Sequence, residues 1–218
     1  MEKYAKLMIS FVRHHYLPHL GITALLIAVS GAIISFRNLD ARASAQVMEM
    51  YAALAGILLL TPLFAPETDQ QIWELKRTKV TPMWRLYLGR LFLAVPVLAV
   101  TMGIFLLRLH CGGSEFDAGS LFSAAYSEAL FLGATGFFAG AVTNQPVIGY
   151  MVSLLYYMGN IGIAGKLGWL GLFPLMRNQP AHRGCFLLTA IVLIALGILL
   201  RERIPGGMTL PFWYHRGA

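Results

Sequence analysis

Residues 64–90 read FAPETDQQIWELKRTKVTPMWRLYLGR, and they hold Glu67, Asp69, Glu74, Lys76, Arg77, Lys79, Arg85 and Arg90, the densest charge in the chain. An apolar run, 47–64, leads into this stretch, and another, 86–107, leads out of it. Each is close to the ~20 apolar residues that a helix needs to cross a bilayer. A short charged segment between two such runs reads as a loop joining membrane spans. That reading decides the fold class, because the other apolar runs then become spans as well.

The composition agrees. Hydrophobic residues make up 57% and charged residues 12%, against about 25% charged in soluble domains. Runs at 20–36, 47–64, 86–107, 121–142, 147–162 and 184–200 predict six transmembrane helices in an all-α polytopic membrane protein, with 1–218 as a single transmembrane domain. The net charge of +7 comes from Lys and Arg at span ends rather than from a basic, aromatic-interleaved soluble face. It therefore points to membrane topology and not to nucleic acid. Ala43-Ser44-Ala45 has the form of a signal-peptide cleavage site. The run before it is long, however, and Arg37, Asp40 and Arg42 intervene, so the expectation is an uncleaved first span.

Local signals refine the ends. In residues 2–16, Tyr4, Leu7, Met8, Phe11 and His15 recur at helical spacing opposite Lys3, Lys6, Ser10 and Arg13. This is the pattern of a helix lying in the interface plane, turned into the bilayer at Pro18; an extension of the first span reads equally well. Glu49 falls near the expected start of span two, at headgroup depth. Thr68-Asp69-Gln70-Gln71 has the form of a capping box, which predicts a short helix over about 69–80. Thr81-Pro82 then starts a second helix that runs straight into span three. In span four, Gly136 and Gly140 form a small-xxx-small pair that allows close helix approach. Between spans five and six, Gly159, Gly162, Gly165, Gly168 and Gly171 break an apolar stretch that also holds Lys166, Trp169 and Pro174. This predicts a re-entrant segment at about 163–180, which must be covered by protein.

With six spans, eleven of the 17 Lys and Arg residues fall on the side of the termini and of the 64–90 stretch. The positive-inside rule then places both termini and that stretch in the cytoplasm of a multi-pass plasma membrane protein, with a bacterial inner membrane the expected setting. Cys111 and Cys185 both fall on the outer side, where they could form a disulfide or remain two separate thiols.

Several chemistries are missing from the sequence. There is no CxxC, HExxH or GxSxG motif. The phosphate loop is absent too, since Gly165-Lys166 is followed by Leu167 and Asn160 stands where its first glycine would be. No metal site and no nucleotide site is expected in this chain. Glu128 is the one acid expected deep inside a span. It is either a proton or cation site, or a helix-packing acid bonded to a hydroxyl or amide, or an acid facing a wet cavity without chemistry. Asn160 and Tyr156 join it as candidate substrate-path residues. Two alternatives follow from Glu128: an ion-coupled secondary transporter, or a membrane-embedded enzyme.

The residues Phe64, Pro66, Glu67, Trp73-Glu74-Leu75, Thr81-Pro82, Trp84-Arg85-Leu86-Tyr87-Leu88 and Gly89-Arg90, within the six-span plan, resemble the ABC transporter permeases of the type-two exporter class. Gln71-Ile72-Trp73 stands where that family often has Gly-Thr before its Glu-Leu. The motif covers about 25 residues and the architecture covers the whole chain. The resemblance implies a permease subunit rather than an enzyme. It works as a homodimer, or paired with a similar permease, and each subunit docks on a separately encoded nucleotide-binding ATPase that holds ATP and magnesium. The helix after span two is then the coupling helix. Its docking surface comprises Glu67, Ile72, Trp73, Glu74, Leu75, Lys76, Arg77 and Lys79, with the apolar side chains as anchors and the basic ones as rim. Without an ATPase, the same basic residues would sit on anionic headgroups.

Overall fold

The computed structural model describes residues 8–68, 83–163, 168, 171–180 and 182–203. Among them every regular element is helical, in six helices: α1 (Met8–Ile33), α2 (Ala41–Pro66), α3 (Met83–Cys111), α4 (Ala118–Thr143), α5 (Pro146–Ile163) and α6 (Arg183–Arg203). Five of them, all but α5, are long and apolar enough to cross a membrane. These are the features of a multi-pass membrane protein. At 18 residues α5 is the shortest, and at 1.5 Å per residue it spans ~27 Å.

The helix ends follow local chemistry. Asp40 caps α2, its carboxylate accepting from the Ala43 amide at 3.0 Å, which satisfies one of the orphan donors of a helix start. Asp117 does the same for α4 through the Gly119 amide. The α4 terminus is closed by Asn144 in the left-handed region, at φ 57°, and Pro146 starts α5 two residues later. α3 is helical from Met83 without a break into the apolar run; the predicted start signal Thr81-Pro82 lies outside the described residues.

The N-terminal helix differs from one of its two readings. No turn occurs at Pro18; the helix continues from Met8 to Ile33. Val12–Tyr16 form a π-helical turn, closed by a bond from the Leu17 amide to the Val12 carbonyl. The wider turn directly precedes Pro18, which has no amide to donate to the helical ladder. The described part of 2–16 is therefore an extension of the first span. Residues 1–7 lie outside the described residues.

Helix α4 is the axis of the bundle, packed on α2, α5 and α6. α2 and α4 are mostly buried, while α1, α3 and α6 turn wide apolar faces outward, with Phe92, Val100, Leu188 and Ile191 among the exposed side chains. In lipid such faces carry no penalty, so helices associate through close backbone approach instead. Glycine makes that approach possible at two places. A Cβ on Gly56 of α2 would lie 2.8 Å from the Ala129 Cα and overlap the Ala129 carbonyl. Across the axis, Gly136 of α4 faces Gly149 of α5, with Thr61 and Ser153 filling the remaining room.

Buried arginines close the end of the bundle at which α2 stops and α3 starts. Arg90 donates to the Leu63 carbonyl at 2.5 Å and lies 4.2 Å over the Phe11 ring. Arg201 donates to Asn144 Oδ1 and lies 5.0 Å over Phe64. Phe64 in turn meets Phe137 edge-on at 5.6 Å. The start of α1 and the end of α6 therefore share this end with the roots of the 64–90 stretch.

The considered disulfide is not formed; Cys111 and Cys185 are free and exposed. The end of α3 is tied to the α1–α2 connection, with the Asn38 amide donating to the Gly112 carbonyl at 2.9 Å. The start of α6 is tied to α4, where Arg183 donates to Ser120. The two cysteines thus belong to separate attachments.

Gly56→Leu should drive α2 from α4 and cost about 3 kcal/mol, as overpacking does. Gly103→Ala, on α3 with nothing within 4 Å of a Cβ, should be neutral or stabilising by up to about 1 kcal/mol. Thermal unfolding in detergent distinguishes the two. Alkylation of the folded, unreduced protein should label two thiols per chain.

Candidate functional site

The described part of the segment before α6, residues 171–180, is a series of turns without a helix. It enters the bundle interior: Leu172, Phe173 and Pro174 are buried. Its backbone amides there have no sheet or helix partners. Polar side chains from three helices supply them instead. Asn160 Oδ1 of α5 accepts from the Leu172 amide at 2.9 Å. Glu128 Oε1 of α4 accepts from the Phe173 amide at 3.1 Å. Glu49 of α2 accepts from both the Leu175 and Met176 amides, at 2.9 and 2.8 Å.

Both carboxylates are fully buried. Burying a charge is costly unless it is paired and hydrogen-bonded. The Arg177 guanidinium brings a positive charge into the neighbourhood of both glutamates. It is positioned by a 2.7 Å bond to the Asn160 carbonyl and lies 5.8 Å from the Phe173 ring. Asn160 is itself oriented by donating to the Tyr156 carbonyl at 2.9 Å. Tyr157 completes the wall, donating to the Met50 carbonyl at 2.9 Å and meeting Phe173 edge-on at 5.4 Å.

Phe173 adopts φ 67°, a conformation that bulky L-residues rarely hold and that persists only where the surroundings over-determine it. Here the Glu128 bond fixes its amide, and Tyr157 and Arg177 flank its ring. The turn closes through the Gln179 amide, which donates to the Pro174 carbonyl at 2.8 Å. From outside, Arg42 Nε donates to the Met176 carbonyl at 3.1 Å.

The structure thus brings together Glu128, Asn160 and Tyr156, which the sequence singled out as path residues. Glu128 is bonded there to the Phe173 amide. Its second oxygen, Oε2, is buried without a hydrogen-bond partner among the described residues. Among the described residues no three His, Cys, Asp or Glu side chains gather as a metal site.

Glu49 is the residue that the sequence reading misplaced. A span starting at Val47 puts it at headgroup depth. Helix α2 instead starts at Ala41 behind the Asp40 cap, so Glu49 lies about two turns inside and is fully buried. The signal was present, since Asp40 before Ala-Arg-Ala-Ser is a helix-start pattern. The residues 47–52 also form a π-helical turn, a feature frequent at functional sites.

The expected docking helix is outside this geometry: Ile72, Trp73, Glu74, Leu75, Lys76, Arg77 and Lys79 lie outside the described residues. The backbone reaches Glu67 at the end of a 3-10 turn, Thr61–Glu67.

Comparison with protein-family models, with curated proteins and with solved structures finds no match to this chain.

Glu49→Ala leaves two half-buried amides without their partner, each costing about 1–3 kcal/mol. It should lower stability by about 3 kcal/mol, and hydrogen exchange at 172–176 should quicken by more than tenfold. Glu128→Gln retains an acceptor for the Phe173 amide and should cost about 1 kcal/mol or less. Exchange mass spectrometry beside thermal unfolding checks both.

Proposed function

We propose that this chain is the transmembrane subunit of an ATP-driven exporter of the type-two ABC permease class, working as a dimer with a separate ATPase subunit. The observation that carries the proposal is the stretch after α2. It holds a capped, charged helix pattern over about 69–80, with Ile72, Trp73 and Leu75 among Glu74, Lys76, Arg77 and Lys79, between two apolar helices. A charged, capped helix beside lipid has little reason to exist without a partner.

The roots of that stretch supply a physical route for coupling. A displacement of residues 69–80 pulls on Glu67 and Met83. Arg90 fastens the start of α3 to Leu63 of α2, and Phe64 packs against Phe137 of α4. The start of α3 and the end of α2 are thereby linked to each other and to the bundle axis. Force applied from the cytoplasm would reach α2, α3 and α4 together. On the opposite side, the cradle of Glu49, Glu128 and Asn160 connects α2, α4 and α5 to the 171–180 turns, so the same helices can move that segment. In this reading both termini lie in the cytoplasm and the cradle lies toward the outer face.

A second reading is favoured by one specific observation, the unpartnered Oε2 of buried Glu128. An ion-coupled transporter would load a proton or cation there. In that case Arg177 would answer the lost or gained charge.

Co-expression with candidate ATPase subunits, followed by purification and ATP-hydrolysis assay, should yield a stable complex. Trp73→Ala with Glu74→Ala should weaken docking about thirtyfold, the scale of a lost interface anchor. No co-purifying ATPase, together with unchanged transport by this double variant, rejects the exporter reading. Transport by Glu128→Gln at the wild-type rate rejects the ion-coupled one.

A further inference from the structure

Helices α1 and α3 both rest on α2 and make little contact with each other. The gap between them is a cleft of about 340 Å³. Leu20, Ala24 and Ile27 line it from α1, and Val97, Val100 and Ile104 line it from α3. Two threonines also border it. Thr23 donates to the His19 carbonyl at 2.8 Å and Thr101 to the Val97 carbonyl at 2.9 Å. Each is satisfied within its own helix, so the wall offers no unpaired hydroxyl, and an apolar chain is its natural occupant.

One turn further along both helices lies a second cleft, also about 340 Å³, lined by Gly31, Ser35, Phe36, Arg37, Arg108 and Gly112. The two lie end to end: Arg108 is one turn beyond Ile104, Gly31 one turn beyond Ile27, and the Arg108 guanidinium, donating to the Ile27 carbonyl at 2.5 Å, lies where they meet. Gly31 provides the space in which the Arg108 guanidinium lies flat, because a Cβ there would overlap it. The guanidinium is also 4.9 Å over the Phe36 ring. Arg37 is exposed, and among the described residues neither arginine pairs with a carboxylate.

The geometry points to a binding site for one phospholipid with an anionic headgroup, its phosphate between Arg37 and Arg108 and an acyl chain along the α1–α3 cleft. Charge complementarity selects the headgroup. The dimensions select a lipid over a free anion. From Leu20 to Gly31 and from Pro96 to Arg108 the groove runs roughly 16–18 Å at 1.5 Å per residue, about one leaflet of a ~30 Å hydrocarbon core. The guanidinium fork suits a phosphate better than a point charge does. This site is distinct from the cradle around Glu49 and Glu128. It requires only that the chain spans a membrane and is independent of the proposed ATPase coupling.

The test uses the full chain in nanodiscs of equal phosphatidylglycerol and phosphatidylcholine, read by native mass spectrometry. One retained phosphatidylglycerol per chain is expected, favoured over phosphatidylcholine about fivefold or more. Arg37→Ala and Arg108→Ala should each lower that preference about fivefold, the effect of one basic residue at an anionic surface. Arg37 has no hydrogen bond among the described residues, so its removal should leave the bundle intact even if Arg108→Ala does not fold. Val100→Trp should fill the cleft and remove the lipid of either headgroup. Excess soluble glycerol phosphate should not displace it. Equal retention of the two lipids, displacement by glycerol phosphate, or full retention in Val100→Trp would each overturn the assignment. So would a Val100→Trp variant that separates dimers while keeping the lipid, since the cleft would then be a seam between copies.

Discussion

A backbone amide buried in a helical bundle has no water to bond, and the amides of Leu172 and Phe173, with the half-buried ones of Leu175 and Met176, have no helix or strand to bond either. Everything around the 171–180 turns answers that constraint. Three helices each give up an interior position to a polar side chain, Glu49, Glu128 and Asn160, and Arg177 returns a positive charge to the same place. Each of these side chains offers an acceptor to an amide that would otherwise be buried without a partner. That is why polar side chains can be buried here, and why a bulky residue, Phe173, can be held in the left-handed region. The arrangement binds α2, α4 and α5 to a segment that would otherwise be excluded from the interior.

The second organising constraint is apolar. Helices whose outward faces are made for lipid cannot be driven together by burying those faces. The bundle instead depends on backbone approach along α4, where Gly56 meets Ala129 and Gly136 meets Gly149. Guanidinium groups supplement this at both ends, each bonded to a carbonyl or amide oxygen and stacked on an aromatic ring: Arg90 and Arg201 at one end, Arg108 at the other. Arginine suits the task because its planar fork can bond and stack at once.

These two constraints divide the molecule between its ends. At one end, α2 and α3 are clamped to each other close to the charged stretch. At the other, the turns before α6 are suspended from the middle helices. α2 belongs to both, carrying Leu63 and Phe64 at one end and Glu49 at the other. A helix that is mostly buried and anchored at both ends is a suitable element for carrying displacement from one face of the bundle to the other, which is what the proposed exporter requires of it.

The sequence by itself determined the class and the order of elements. Apolar run length is a local property, and the helices follow it. The small pair Gly136 and Gly140 announced a close approach, and the broken Gly-rich stretch announced a segment needing cover. Neither said which helices would answer, because partner choice depends on residues far apart in the chain. Only the tertiary structure decided that Glu49 lies two turns inside α2, that Glu49, Glu128 and Asn160 share one segment, that the first helix runs on past Pro18, and that Cys111 and Cys185 belong to different attachments. The physical reason is the same in each case: a side chain's depth and partner are set by how helices pack, while run length and caps set only where each helix begins and ends.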